Sequence, residues 1–415
     1  MIFKRLAFEN YKAFRKREDI ELRPLTILIG RNNAGKSVIA RLPLLLAHSL
    51  SDRAESPFDL EFSGLNFGAS FADIVHNRTP HRAVGVGADF ATHDGQNLKI
   101  FAKVLYFDEY KLQVVQRFEL KNSDNRPLTL CWAGEDPLEE MHRYRVEETG
   151  IECRVIFRGI CPYKISPSDR RISSGFSFGN LSNEMTYLGP FREEPRRVYP
   201  FSGSFVRGVD FRGKNAPQLL SDDKLSRKGK VLSAVSDWFS EYLGGWPLDL
   251  SVQGDYFSLV LRNPKNSSVE VNIADVGAGI AQVLPIVVQR HFADITGDSG
   301  NIEIIEQPEL HLHPGAHGPL ADLYVKAVKE AGIRCLIETH SENFLLRIRR
   351  RIADKTLESD DVVVYWVKDK SDSKTQIQQI NIEPNGEVDY WPKGVWSEDF
   401  DEVRAIRRAQ KRRRR

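Results

Sequence analysis

The chain is predicted to be an α/β protein: a mixed, largely parallel sheet covered by helices, with an antiparallel β lobe and a helical insert set between the two halves of that frame. Three observations predict it. Residues Gly30-Arg31-Asn32-Asn33-Ala34-Gly35-Lys36-Ser37 spell G-x-x-x-x-G-K-[ST], preceded by an apolar run and followed by a helical pattern. The C-terminal half alternates short apolar runs with helical spacing, which means parallel strands joined by helices. The middle carries β-rich runs punctuated by Asn and Asp, as antiparallel hairpins do.

Taken in order, residues 2–9 alternate as a strand and meet a turn at Asn10-Tyr11-Lys12-Ala13-Phe14. Leu25-Thr26-Ile27-Leu28-Ile29 is β-branched and continuous, so it reads as a strand buried on both faces. The phosphate loop follows, and residues 38 to about 50 read as the helix it opens. From about 83 to 157 lie the antiparallel runs, including Lys99 to Tyr106 and Lys111 to Leu120. Val231, Leu232, Val235, Trp238, Phe239 and Tyr242 recur at helical spacing until Gly244-Gly245 stops them. Beyond that, residues 301–305 and 334–337 read as strands, 320–330 and 342–352 as helices. The nucleotide-binding core is therefore expected from 1–50 and 270–370, the β-rich and helical insert at 51–269, and a C-terminal strand and helix segment with a basic tail at 371–415. There is no internal repeat and no heptad run long enough for an extended coiled coil.

The motifs assign chemistry to particular side chains. In a phosphate loop the backbone N–H groups, here those of Gly30, Asn32, Asn33 and Gly35, cradle phosphate oxygens at a helix N-terminus, where the helix dipole favours anions. Lys36 reaches the β- and γ-phosphates of ATP, and the Ser37 hydroxyl helps hold Mg²⁺. Magnesium needs hard oxygen ligands, so an apolar strand ending in an acid is expected opposite Ser37, and Ile302-Glu303-Ile304-Ile305-Glu306 supplies Glu306. Asp275-Val276-Gly277-Ala278-Gly279 places two glycines at a helix start, where backbone can approach a phosphate. Leu336-Ile337-Glu338-Thr339-His340-Ser341 is a strand ending in His340, suited to touch a γ-phosphate or an attacking water. Each of the last three has an ordinary structural reading when taken alone.

Composition excludes little. Lys and Arg number 59 against 57 Asp and Glu, so any basic surface is local. Cys131, Cys153, Cys161 and Cys335 have no metal-ligand or dense disulfide spacing, which suits a reducing cytoplasm. Met1-Ile2-Phe3-Lys4-Arg5 runs directly into a strand pattern, so no signal peptide is expected, and the apolar stretch near Leu42 to Leu46 is too short to cross a bilayer.

The order of these motifs resembles the ABC-type P-loop ATPase heads of the SMC, RecF and OLD-like group, often described as stand-alone bacterial AAA-family ATPases. The resemblance rests on Asn10-Tyr11-Lys12-x-Phe14, the phosphate loop, D-V-G-x-G-x-x-Q-V-L-P as signature motif, E-x-P-E-L-H-L-H-P as Walker B and D-loop, and T-H-S as switch. Tyr187-Leu188-Gly189-Pro190-Phe191-Arg192-Glu193-Glu194-Pro195 and Asp389-Tyr390-Trp391-Pro392-x-Gly394 also resemble segments of that subgroup. It implies a homodimer, or a higher homo-oligomer, in which each ATP is held by Lys36 of one subunit and the Gly277–Gly279 segment of the other.

Two departures from the family pattern bear on turnover. After the Walker B acid the family usually carries a Glu that polarises water; here stands Gln307, which can orient water but cannot take its proton. Hydrolysis is then slow, or Glu309 is the base. The signature also has Ala278 and Ala281 around its glycines and lacks the usual serine.

His311, His313 and His317 could supply three metal ligands, but their place just after Walker B argues for an interface loop. The tail, with Arg407, Arg408 and residues 411–415, is either a solvated end or a non-specific contact to DNA or an acidic partner. Only about 75 residues follow His340, too few for a fused Toprim nuclease. The leading expectation is an ATP-gated sensor or scaffold of an anti-phage system of the PARIS or Septu kind, working with a separately encoded effector protein. A RecF-like DNA-repair clamp and a non-hydrolysing assembly module are the alternatives.

Overall fold

The computed structural model describes residues 2–79, 81–91, 95–123, 127–134, 136–139, 141–166, 178, 181–203, 205–297, 301–368, 376–391, 406 and 410. Two large sheets organise them. The strand β1 (Ile2–Glu9) belongs to the antiparallel sheet of nine strands, pairing with Glu18–Glu21 on one side and Val84–Ala91 on the other. The first strand of the frame thus shares a sheet with the inserted lobe, whose last strand, Cys161–Ser166, lies beyond the expected end of the β-rich region.

The second sheet carries the chemistry. Its strands are β2 (Leu25–Ile29), β3 (Met185–Leu188), β4 (Ile302–Glu306), β5 (Arg334–Glu338), β6 (Val362–Lys368) and β7 (Gln376–Ile380), in the spatial order β3-β4-β5-β2-β6-β7. Every pair is parallel except β6 with β7. The helices that matter are α1 (Lys36–Ser49), α2 (Lys230–Tyr242), α3 (Ala278–Thr296), α4 (Pro314–Ala331) and α5 (Glu342–Ala353). The predicted elements match closely. α4 begins earlier than the periodicity indicated, because the His313 side chain caps it and Pro314 occupies its first turn, where a missing N–H is harmless.

Burial on both faces explains the unbroken apolar runs. Leu25, Ile27, Ile29 and Ile305 face one core with α3, α4 and α5, whereas Leu28, Ile302, Ile304 and Leu336 face the other with α1. That second core also holds Phe3, Leu6 and Phe8 of β1, so α1 is clamped between the two sheets. Ile39, Leu42, Leu45 and Leu46 are fully buried there. At about 1.5–3 kcal/mol for each large apolar side chain removed from water, this packing holds the start of α1, and with it the phosphate loop, in place.

Candidate nucleotide site

The phosphate loop leaves β2 at Ile29 and enters α1 at Lys36. Gly30 (φ 149°) and Gly35 (φ 99°) adopt backbone conformations that side-chain-bearing residues rarely take. A Cβ on Gly30 would lie 2.3 Å from the Val367 carbonyl oxygen of β6, and one on Gly35 would press on the Phe14 ring at 3.2 Å. Phe14 and Tyr11 are buried, with Phe8 edge-on to both rings, so the N-terminal Asn-Tyr-Lys-x-Phe turn is the floor of the loop. Asn32 and Asn33 are exposed in the loop, Asn33 with a φ of 63° that asparagine tolerates. No side chain caps α1, which leaves the N-terminal N–H groups of the helix to an anion.

Lys36 is buried, and its Nζ donates to the carbonyls of Gly30 (3.0 Å) and Arg31 (2.7 Å) while standing 3.9 Å from a Glu338 oxygen. Burial pulls its pKa below the usual lysine value, and Glu338, Glu309 and Glu306 pull it back up. The Ser37 hydroxyl donates to Glu338 Oε2 at 2.7 Å. The acid against Ser37 is thus Glu338, at the end of β5, where the sequence pointed to Glu306.

Glu306 is occupied differently. Arg41 Nε and Nη2 reach its two oxygens at 2.6 and 3.1 Å, and the Tyr187 hydroxyl donates to it at 2.7 Å. Strand adjacency explains the difference: β5 lies between β2 and β4, so Glu338 is one strand spacing nearer the loop. Both acids are almost fully buried, and burial followed by the charge of Glu306 pushes Glu338 up to about 7 against the opposing effects of Ser37 and Lys36.

Beyond β4 the chain turns sharply. Gln307 has a φ of 46°, and its N–H donates to the Glu338 carbonyl at 2.7 Å. Glu309 is 8% exposed; one carboxylate oxygen accepts the His340 backbone N–H at 2.6 Å, and the other, Oε2, has no hydrogen-bond partner among the described residues. Burial raises its pKa. Burial, with the nearby Lys36 charge, holds His340 down to about 4, so its ring is neutral at neutral pH. These groups fit Mg²⁺–ATP: a buried lysine, hard oxygen donors from Ser37 and Glu338, and a buried carboxylate oxygen with unused acceptor capacity.

The two glycines of the signature segment part company. Gly277 caps the start of α3 with nothing within 4 Å of the position of a Cβ, whereas a Cβ on Gly279 would sit 2.2 Å from the His311 carbonyl oxygen. Gly279 is needed for backbone packing inside the subunit, and Gly277 alone presents open backbone. The three histidines are used structurally: His313 Nδ1 accepts from Gly315 N–H at 3.1 Å, and His317 contacts Ser341 Oγ at 2.7 Å and the Leu312 carbonyl at 3.2 Å. His311 takes a φ of 66° in the turn.

Arg41, Tyr187, Arg192 and Glu338 were not singled out as site residues. Arg41 stands four residues after Ser37 on one helix, so helical spacing puts the two on the same face. Tyr187 and Arg192 lie in the Tyr187–Pro195 stretch already noted for its resemblance, and Glu338 lies beside the switch histidine. The basic tail, apart from residues 406 and 410, lies outside the described residues, as do Pro392 and Gly394 of the C-terminal segment.

Comparison with known proteins supplies a family and a fold. The model of the AAA ATPase domain matches residues 1–130 and 214–345. No curated protein matches the chain. Among solved structures, an SMC head bound to the C-terminal winged-helix domain of ScpA is 12% identical with a TM-score of 0.50, covering 92% of this chain and 98% of that one. An SMC head domain from Thermotoga maritima is 10% identical, with a TM-score of 0.42 and coverage of 92% and 100%. An SMC head with an extended coiled coil, bound to the C-terminal domain of ScpA derived from Pyrococcus furiosus, is 10% identical, with a TM-score of 0.45 and coverage of 98% and 99%. At 12% identity the first likeness speaks to fold alone: the chain has the fold of an SMC head domain. No helix among the described residues is long and apolar enough to cross a membrane.

Proposed function

Because the chain belongs to the AAA ATPase domain family, we propose that it binds Mg²⁺–ATP at the Gly30–Ser37 loop, hydrolyses it slowly, and acts as an ATP-gated sensor or scaffold in anti-phage defence with a separately encoded effector protein. The observation that carries the slow turnover is the turn after β4: it offers the carboxamide of Gln307, while the carboxylate of Glu309 lies two residues on with one oxygen engaged by His340 N–H. Bound Mg²⁺ would neutralise phosphate charge. In this reading Lys36 would exchange the Gly30 and Arg31 carbonyls for phosphate oxygens, and Ser37, with Glu338 behind it, would hold the metal. Gln307 orients water, Glu309 takes its proton, and His340 donates from its neutral ring.

Gly277 supports association, since its open backbone is free to face a second subunit. Sedimentation with a slowly hydrolysed ATP analogue should show ATP-driven dimers or larger homo-oligomers. A population still monomeric at micromolar concentration would contradict that part of the proposal. For the biological role, cells carrying the gene with its genomic neighbour should resist phage infection, and the Lys36→Ala variant should not. Equal infection of both would remove the defence reading.

A further inference from the structure

The Tyr187–Pro195 segment has no place in the phosphate chemistry, yet it reaches the site at two points. It leaves β3 with the Tyr187 hydroxyl on Glu306, and five residues later it buries Arg192 to 4% exposure. Arg192 makes no ion pair among the described residues. Its Nη2 donates to the carbonyls of Glu306 (2.9 Å) and Gln307 (3.2 Å), and Nη1 to that of Gln282 in α3 (3.4 Å). The Gln282 side chain returns a bond to the Arg192 carbonyl at 3.0 Å. Nε has no hydrogen-bond partner among the described residues.

A buried guanidinium satisfied only by carbonyls carries a desolvation cost that a neutral side chain would avoid, and such groups persist where geometry matters more than stability. The geometry here is particular. The planar fork bridges two elements at once, which a lysine ammonium on a flexible stem cannot reproduce. One of them is the Glu306–Gln307 peptide, from which the backbone enters its left-handed turn. The other is the signature helix, whose Gly279 already packs backbone to backbone on His311. Farther from the site, Arg290 of α3 pairs with Glu303 of β4 at 2.5 Å, so helix and strand are tied at two levels.

We propose that Arg192 is a positioning residue that locks the Glu306–Gln307 peptide to the first turns of α3, so that Gln307 and the Gly277 end of the helix keep one fixed mutual geometry. The inference rests on the ATPase reading for its catalytic consequence and on packing alone for the lock itself. A partner subunit that touches Gly277 would thereby act on the water-orienting turn through a rigid link.

The test uses Arg192→Met and Arg192→Lys in the full chain. Hydrogen exchange without nucleotide should show amides at 307–312 and 279–284 losing protection together in Arg192→Met, with Arg192→Lys intermediate. Steady-state kinetics should show kcat falling by about tenfold to a hundredfold, as expected for a small misplacement of a reacting group, with KM for ATP nearly unchanged. Unchanged exchange in both segments, or a loss expressed only in KM, overturns the lock. If the wild-type chain hydrolyses no ATP, the ATPase reading fails while the exchange result still decides the lock. Should Arg192→Met not fold, the same exchange comparison in Arg192→Lys decides it.

Discussion

Glu306 and Glu338 end neighbouring parallel strands, sit directly opposite each other in register, and are 1% and 3% exposed, yet their surroundings differ in kind. Glu306 is saturated by a bidentate Arg41 and the Tyr187 hydroxyl. Glu338 meets a serine hydroxyl and, at 3.9 Å, the phosphate-loop lysine, and is held partly protonated near neutrality by burial and by Glu306. Two acids with the same local pattern therefore have different partners. The one beside the loop strand meets the phosphate-loop side chains Ser37 and Lys36, and the one a strand farther out ties α1 to the sheet.

The strongest challenge to this contrast is Lys36→Ala. It removes the cation on the Glu338 side and should abolish ATP binding, lowering affinity about a hundredfold or more given the strength of charge-assisted bonds to phosphate. Calorimetry on the folded variant checks it, and unchanged affinity would dismiss the phosphate-loop assignment.

Next come the acids themselves. Glu338→Gln should weaken the Mg²⁺-dependent part of ATP binding by about tenfold, since the carboxylate form that Glu338 can supply beside the Ser37 hydroxyl is lost. Glu306→Gln should leave that binding largely intact and instead lower stability by about 1–2 kcal/mol, discounted because Arg41 is half-exposed and can turn to solvent. Titrations with and without Mg²⁺, beside thermal melts, separate the two; the reverse pattern would restore Glu306 as the metal-side acid.

A smaller effect is expected at the turn between them. Gln307→Glu should raise kcat by about tenfold by adding a proton acceptor, and Glu309→Gln should lower it while sparing ATP affinity. A fall or no change with Gln307→Glu would count against slow hydrolysis by carboxamide. Smallest of all, Tyr187→Phe removes one of the bonds to Glu306 and should cost about 0.5–1.5 kcal/mol in denaturant unfolding without moving ATP affinity. Altered nucleotide binding would mean that Glu306 is not confined to a structural task.

Much of the frame was legible beforehand because its signals are local. A five-residue apolar run before G-x-x-x-x-G-K-S, and helical spacing after it, need no knowledge of distant chain. β3 was missed for the opposite reason: its four residues, Met185-Thr186-Tyr187-Leu188, have no period to read and are a strand only because β4 pairs with them. The inserted lobe was recognised as antiparallel, but the membership of β1 in its sheet depends on pairing with Val84–Ala91, about eighty residues away by sequence.

The sequence by itself determined the α/β class, the phosphate loop, and the place of Lys36 and Ser37 at the start of the helix that follows it. Tertiary structure alone decided which partners each acid meets, which glycine is open, and what Arg192 holds. The physical reason is separation along the chain. Ser37 meets Glu338 across 301 residues, Arg41 meets Glu306 across 265, and Arg192 meets Glu306 across 114. Strand order and close backbone approach settle such meetings, and neither leaves a period or a motif in the residues that take part.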